Sequence, residues 1–341
     1  MKIKSLLIGS AALMTVSTGS YAADAVVMAE PEPVEYVRVC DVYGAGFFYI
    51  PGTETCLKIG GYIRDDININ AGFTGYRNRA RFTPTFDARS ETEWGTLRGY
   101  AEVEINADTG PGWVAPGQYF NIAHAFIELQ GASGTFRIGR THSPYSRFLG
   151  YGVGPFTNDI AYGFNNTSEV SYTFNGGNGF SAIIALVENP ARAAWQTNVE
   201  GGINFAQGWG SIGAIIGYDA VNSEWGGKAV ARFKAANSGF SASLHVFYSS
   251  FTAGVPNTYR VSALQQNWSV AGGVGFQVSP KVAFNAFAQW FDSPATAGAW
   301  AFAANVAWTP VTNLLIRPEI RYQTAGGVSV WDGVVRFQRS F

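Results

Sequence analysis

The stretch that decides the fold reads Leu57-Lys58-Ile59-Gly60-Gly61-Tyr62-Ile63-Arg64-Asp65-Asp66-Ile67-Asn68-Ile69-Asn70. Apolar and polar side chains alternate along it with a period of two, which is typical of a β-strand with one apolar and one hydrated face. The isoleucines share one face, and Lys58, Arg64 and Asp66 share the other. Asp65 interrupts the apolar face, so we expect it near an interface or at a subunit contact.

The same alternation recurs down to the C-terminus. In later runs Arg81 and Arg98 fall on the polar face, with Phe82 and Leu97 on the apolar one. Charged residues on one face of a strand need water, because a charge that faces lipid costs roughly 2 to 4 kcal/mol. We count sixteen runs, the even number that a closed antiparallel barrel needs. They lie at residues 57–70, 79–91, 96–106, 119–130, 135–140, 167–175, 180–188, 197–206, 211–219, 227–236, 240–251, 266–277, 282–292, 299–309, 314–323 and 330–341.

The composition favours the same architecture. Hydrophobic residues make up 47% and aromatic residues 15%, but charged residues only 14%, against roughly 25% in a soluble domain. The chain after its first segment contains no apolar run near the roughly 18 residues of a membrane helix. We therefore predict an all-β fold, a 16-stranded antiparallel transmembrane β-barrel with an inward-folded constriction loop, over residues 57–341.

The first residues are typical of an exported protein. Lys2 and Lys4 precede an apolar segment, and Ser20-Tyr21-Ala22 fits a cleavage site, so residues 1–22 are predicted to be a cleaved signal peptide and not a membrane helix. Residues 23–56 form an N-terminal lead-in that holds Cys40 and Cys56. Oxidising conditions outside the cytoplasm favour a disulfide between them. Such a disulfide would contribute about 3 kcal/mol to the stability of the folded chain. We expect the protein in the bacterial outer membrane.

A long connection at residues 141–166 follows the fifth run. It is rich in glycine, proline and aromatic residues, which suits a loop folded into the barrel. Sixteen tilted strands enclose a bore too wide for side chains to fill, so the barrel should hold an aqueous channel. Short turns, for example at residues 131–134 and 176–179, are assigned to the periplasmic side.

The stretch from Val34 carries a family resemblance. Val-Glu-Tyr-Val-Arg-Val-Cys-Asp, followed by Gly-Ala-Gly-Phe-Phe-Tyr-Ile-Pro-Gly-Thr-Glu-Thr-Cys-Leu, closely resembles the N-terminal signature of the general porins of alphaproteobacteria, of the Brucella and Rhizobium type. The resemblance implies a trimeric, sixteen-stranded porin whose third long loop forms the constriction, with acidic groups on that loop opposite basic groups on the wall. This sequence departs from that arrangement, because Asp159 is the first acid after Thr141. We therefore expect an eyelet that is less cation-selective.

The facing wall is predicted to be rich in arginine. Guanidinium groups around a narrow pore attract anions, although each arginine could equally be a solvated residue paired with a carboxylate. The residues expected at the pore or constriction are Arg64, Arg79, Arg81, Arg98, Glu102, Arg147, Asp159, Arg317, Glu319, Arg321 and Arg336. Phe341 is expected to be the terminal assembly signal.

No catalytic, cofactor or metal site is predicted. His124, His142 and His245 lack a second ligand at metal spacing, and no Gly-x-Ser-x-Gly pattern is present. A net charge of −1 gives no attraction to nucleic acid. The expected partners are further copies of the chain in a homotrimer, outer-membrane lipid and lipopolysaccharide, and small polar solutes and ions.

The predicted function is passive diffusion of small hydrophilic solutes and ions, without enzymatic activity. Two alternatives stay open. Tryptophans near run ends could stack sugars in a substrate-specific channel, although an interfacial girdle accounts for them better; they are Trp94, Trp209, Trp290, Trp300, Trp308 and Trp331. A plugged barrel with a structural or adhesive role would instead need long polar loops, and most loops here are short.

Overall fold

A computed structural model describes residues 38–69, 71–110, 117–157, 163–189, 196–261, 267–292 and 298–341. The predicted signal peptide, residues 23–37 of the lead-in, Asn70 and Asp159 lie outside these residues. No helix in the described residues is long and apolar enough to span a membrane.

Sixteen strands form the barrel, and each overlaps one of the predicted runs. A two-residue strand, β1 (Phe48–Tyr49), precedes them. The barrel strands are β2 (Cys56–Ile69), β3 (Tyr76–Thr92), β4 (Gly95–Thr109), β5 (Gly117–Gly131), β6 (Gly134–His142), β7 (Asn166–Gly177), β8 (Phe180–Glu188), β9 (Thr197–Gln207), β10 (Gly210–Asp219), β11 (Glu224–Lys234), β12 (Phe240–Ser249), β13 (Trp268–Ser279), β14 (Val282–Phe291), β15 (Ala299–Trp308), β16 (Leu314–Ala325) and β17 (Val328–Ser340). The prediction of an all-β barrel of sixteen strands is confirmed.

Pairing between the last and the first barrel strand closes the sheet. Every barrel strand pairs antiparallel with the next one along the chain, and β17 pairs with β2 from Gly333↔Ile69 to Ser340↔Tyr62. The terminal residue extends this contact, since Phe341 N donates to Gly61 O at 3.0 Å and accepts in return through its own carbonyl. The closed sheet therefore has no free edge among its sixteen strands.

The two faces of the sheet are distinguished by a loop that touches only one of them. Residues 143–157, between β6 and β7, receive hydrogen bonds from Ser243 of β12, Asn305 of β15 and Arg317 of β16. One segment reaches such widely spaced strands only from inside the barrel, so these side chains point into the lumen. The opposite face carries the exposed isoleucines and leucines. The face assignment made from the period of two agrees with this geometry.

Tryptophan side chains lie on the outer face near strand ends. Trp300 and Trp308 alternate with the lumen-facing Asn305 on β15, and Trp290 pairs directly with Trp300. Near the short turns Trp94 and Trp209 are also exposed. Their outward placement matches an aromatic girdle at the two membrane interfaces and gives the sugar-stacking alternative no support.

Short turns join the strands at one end of the barrel, hereafter the short-turn end. They lie at residues 93–94, 132–133, 178–179, 208–209, 235–239, 280–281 and 309–313. Asn178 and Gly179 form a two-residue hairpin in which both φ angles are positive, 49° and 82°. A turn of this type matches the twist of the flanking strands and requires residues such as Asn and Gly.

A disulfide-closed segment covers the inner face of the first strands near the short-turn end. Cys40 and Cys56 are bonded, with their Cα atoms 6.0 Å apart, which confirms the predicted bridge. Within the closed loop, β1 pairs with the start of β2, and Tyr43 donates a hydrogen bond to Glu91 at 2.8 Å. The Arg89 guanidinium lies 5.1 Å from the centre of the Phe47 ring. The segment thus packs on lumen-facing residues of β2 and β3.

Reduction of the disulfide should open residues 41–55 and leave the barrel folded. The bridge joins positions 16 apart, and its loss should lower the free energy of opening that loop by about 3 kcal/mol. Limited proteolysis with and without dithiothreitol, read by mass spectrometry, measures the effect. A Cys40→Ser, Cys56→Ser double variant should match the reduced protein. Equal protection of the loop in both redox states would contradict the assignment.

Candidate pore constriction

The loop between β6 and β7 starts with one helical turn and then follows the inner wall. Its helix α1 (Pro144–Arg147) has proline at the first helical position, where no backbone N–H is needed. The backbone N–H of Tyr145 donates to Glu200 Oε2 of β9 at 2.6 Å. Farther along, the Arg232 guanidinium of β11 donates to the carbonyl oxygens of Leu149 and Gly152 at 3.1 and 2.7 Å. Wall side chains therefore hold the backbone of the loop.

The distal part of the loop is held by the last strands. Asn305 Nδ2 donates to Pro155 O at 3.0 Å, and Arg317 donates to the same oxygen at 2.5 Å and to Thr157 Oγ1 at 3.1 Å. Glu319 accepts from the backbone N–H of Thr157 at 2.8 Å. Two residues predicted for the constriction, Arg317 and Glu319, are thus brought to the loop itself.

Apolar side chains fill the space between the loop and the wall. One cluster gathers Val153 and Phe156 of the loop against Phe247 and Phe287. A second gathers Tyr145 and Leu149 against the wall. Burial raises the pKa of the Tyr145 phenol, so that its hydroxyl stays protonated. The loop is therefore a packed part of the barrel interior, on the side of β8 to β16.

A second inward loop, residues 250–261, was missed by the sequence reasoning. Thr258 donates to Asp219 through its N–H at 3.0 Å and its hydroxyl at 2.6 Å, and the Tyr259 ring lies 5.0 Å from that of Tyr145. The wall has a glycine where Tyr259 packs against it, because a Cβ on Gly226 would lie only 2.6 Å from Cβ of Tyr259. A glycine at a lumen position is a signal that could have indicated this contact.

On β2, β3, β16 and β17 five of the predicted arginines are paired with carboxylates. Arg79 binds Asp108 through two hydrogen bonds of 2.7 and 2.8 Å, and Arg336 binds Asp66 in the same way at 2.7 and 2.9 Å. Arg64 Nε lies 3.2 Å from Asp66 Oδ2. The remaining pairs are Arg81 with Glu104 and Arg321 with Asp332. Closure through β17 and β2 brings the first and last strands of this network together.

The other predicted residues lie apart from that network. Arg98 donates to Asp87 at 2.9 Å and to Glu128 at 2.8 Å. Glu102 accepts from the Tyr100 hydroxyl at 2.9 Å. Arg147, on the loop, donates to Glu169 at 2.5 Å. Apart from Arg317, which binds the loop, the predicted arginines are therefore built into ion pairs, which corresponds to the paired alternative.

The channel-like geometry agrees with comparisons to known proteins. The family model described as "Porin subfamily" matches residues 24–336. The chain belongs to this family. It is 40% identical to porin Omp2b of Brucella canis over 376 aligned positions, with 100% of both chains covered. This protein is an outer-membrane porin channel, and the family resemblance of residues 34–57 is confirmed.

Solved structures share the fold of this porin at low sequence identity. The outer-membrane channel DcaP of Acinetobacter baumannii aligns with a TM-score of 0.66 at 15% identity, covering 86% of this chain and 99% of its own. OmpT of Vibrio cholerae, in its trimer form, aligns with a TM-score of 0.64 at 9% identity, covering 85% and 100%. In the described residues of this porin, no group of three His, Cys, Asp or Glu residues could hold a metal ion.

Replacing Arg317 with alanine should loosen the distal part of the loop. The change removes the donors to Pro155 O and Thr157 Oγ1, at about 1.5 to 3 kcal/mol for each charge-assisted hydrogen bond. We expect larger and noisier single-channel currents. Arg321→Ala is the control, because Arg321 pairs with Asp332 of β17. Equal currents in wild type and Arg317→Ala would contradict the role of Arg317.

Proposed function

We propose that this porin passes small hydrophilic solutes and ions by passive diffusion between the loop at residues 143–157 and the charged wall of β2 to β5 and β17. The observation that carries the proposal is the one-sided placement of the loop. In the described residues its polar contacts run to β6, β7, β9, β11, β12, β15 and β16, and not to β2 through β4. The gap is then bounded by the residues predicted for the pore.

Weak ion selectivity follows from the way the wall is built. Arg79, Arg81 and Arg336 each have a carboxylate partner within hydrogen-bond distance, so their fields largely cancel at the distance of a passing ion. The loop adds Arg147, which is itself paired with Glu169. Asp159, the first acid of the loop, would oppose the wall in the family arrangement. We propose that Asp159 contributes no more to the ion selectivity than the paired groups do.

Planar-bilayer recording should give a large, weakly selective conductance, and silence at all voltages would reject the proposal. In a salt gradient the Arg81→Gln variant should shift the reversal potential toward cations, because Glu104 loses its partner. Arg321→Gln is a matched control in a different ion pair near the long loops, and it should shift the potential less. An unchanged or anion-directed potential in Arg81→Gln would contradict the paired-wall account.

A homotrimer in lipid and lipopolysaccharide is part of the proposal. OmpT, which shares the fold, is described in a trimer form. In this chain Asp65 lies on the outer face, where Asn78 Nδ2 donates to it at 3.2 Å. A carboxylate and an amide on that face are costly against hydrocarbon, and a protein neighbour would lower the cost. The patch around Asp65 and Asn78 is therefore assigned to the subunit contact.

Replacing Asp65 with alanine distinguishes a subunit contact from a lipid contact, because the two predict opposite changes in stability. If a neighbouring subunit covers Asp65, the variant should weaken the trimer and lower its dissociation temperature in detergent. If lipid covers it, removing the charge should raise barrel stability and leave the trimer intact. Native gel electrophoresis across a temperature series measures both. Ile184→Ala, an exposed outer-face change on β8, is the control.

Export by a cleaved signal at residues 1–22 and assembly through Phe341 complete the proposal, which includes no catalytic step. Support for the role of Phe341 comes from its backbone bonds to Gly61 and from its ring, which lies 6.5 Å from the ring of Phe82 on the outer face. A terminal aromatic placed at the closing seam can guide the pairing of β17 with β2.

A further inference from the structure

A recess opens in the lumen between the start of the constriction loop and the wall of β4 to β7. Its volume is about 450 Å³. Its lining combines guanidinium, hydroxyl and aromatic groups, namely Arg98, Glu128, Gln130, Thr135, Arg137, Arg147, Phe148, Tyr151, Ser171 and Thr173. Three arginines and one carboxylate share this lining, so cationic side chains outnumber anionic ones at its surface.

Buried carboxylates hold these three arginines from behind. Glu128 accepts from Arg98 at 2.8 Å and from Arg137 Nε at 2.7 Å, and Glu169 accepts from Arg147 at 2.5 Å. Asp87, which does not line the recess, accepts the other two nitrogens of Arg98 at 2.9 Å each. The Glu128 and Glu169 side chains are 3% and 0% exposed, whereas the three arginine side chains are 15 to 17% exposed. Water in the recess therefore meets mainly N–H donors, because the carboxylates lie beneath the arginines.

Donor groups remain available in this arrangement. Arg137 uses Nε and Nη2 on Glu128, and Arg147 uses Nε on His142 O and Nη2 on Glu169 and Ser171. In the part of the chain that the structure describes, Nη1 of either arginine has no hydrogen-bond partner. The pair of Arg79 on β3 and Asp108 on β4 differs, since its carboxylate faces one guanidinium fork with both oxygens.

The position of the recess places it on the path of a solute. Thr135 and Arg137 follow the turn at residues 132–133, so the recess lies toward the short-turn end of the loop. Phe126 forms an apolar base there, with the guanidinium carbons of Arg98 and Arg137 at 5.6 and 4.4 Å from its ring centre. Aromatic contacts of this kind fix the orientation of both arginines.

We propose that this recess is a binding subsite for small oxyanions, carboxylates or phosphates, which enter the channel from the short-turn end. Guanidinium donors fixed by buried acids match the geometry of a carboxylate or phosphate oxygen pair. Because the acids already order the arginine side chains in the absence of a solute, binding costs little further side-chain entropy. The hydroxyl of Thr173, which also lines the recess, supplies a further donor. The inference rests on the proposed diffusion function, because a solute must reach the lumen.

Block of the open channel tests the subsite. Single channels in potassium chloride receive citrate or inorganic phosphate on one side at a time. In wild type we expect concentration-dependent block that is stronger from the short-turn side. Arg137→Gln should weaken this block about tenfold, since it removes one charged donor from the recess. Arg321→Gln, whose arginine lies outside the recess, should retain the wild-type block. Citrate and phosphate in separate arms show which oxyanion the subsite prefers.

A second variant covers the case in which Arg137→Gln does not fold. Thr173→Asp leaves every arginine pair intact and adds a negative charge to the lining, so it should weaken block to a similar degree. Equal block in wild type and Thr173→Asp, or equal loss in Arg321→Gln, overturns the subsite. A channel that conducts but shows no side-dependent block overturns the subsite and leaves the diffusion function standing. A chain that never conducts overturns both.

Discussion

The structure depends on one constraint, the need of every backbone N–H and C=O group in a bilayer for an internal partner. A sheet meets it only when the last strand pairs with the first. Here β17 pairs with β2 and the terminal residue continues the ladder at Gly61. Closure also makes neighbours of residues at opposite ends of the chain. Arg336 and Asp66, 270 positions apart, form a buried double hydrogen bond only because the sheet is closed.

Closure creates a second requirement, because a cylinder of sixteen strands is wider than its own side chains can fill. The chain meets it with loops that fold inward. The loop at residues 143–157 packs on β8 to β16, and residues 250–261 add Tyr259 beside Tyr145. Glycine at lumen positions makes room for them, since a Cβ on Gly273 would lie 2.6 Å from Val153 O. The remaining space borders the charged wall.

Sequence alone predicted the strands, their faces and the disulfide, because each depends on local order or compartment. The period of two separates Arg64 from Ile63 without any knowledge of neighbours. It could not predict the partner of Arg64, which depends on the register between strands and on closure. The inward path of residues 250–261 was missed for a related reason, since Asp219 and Thr258 lie 39 positions apart. The alternation within one strand does not show which distant residues it will lie beside, because that depends on the register between strands.

Register also decides what an arginine does once parity has placed it in the lumen. Arg79 and Arg137 both point inward from barrel strands, yet Asp108 faces the fork of Arg79 with both oxygens, whereas Glu128 is shared between Arg137 and Arg98. A guanidinium matched by its own carboxylate contributes little field to the pore. One that shares a buried carboxylate keeps donors and positive charge for a solute. The selectivity of such a channel is therefore set by how carboxylates are distributed among its arginines.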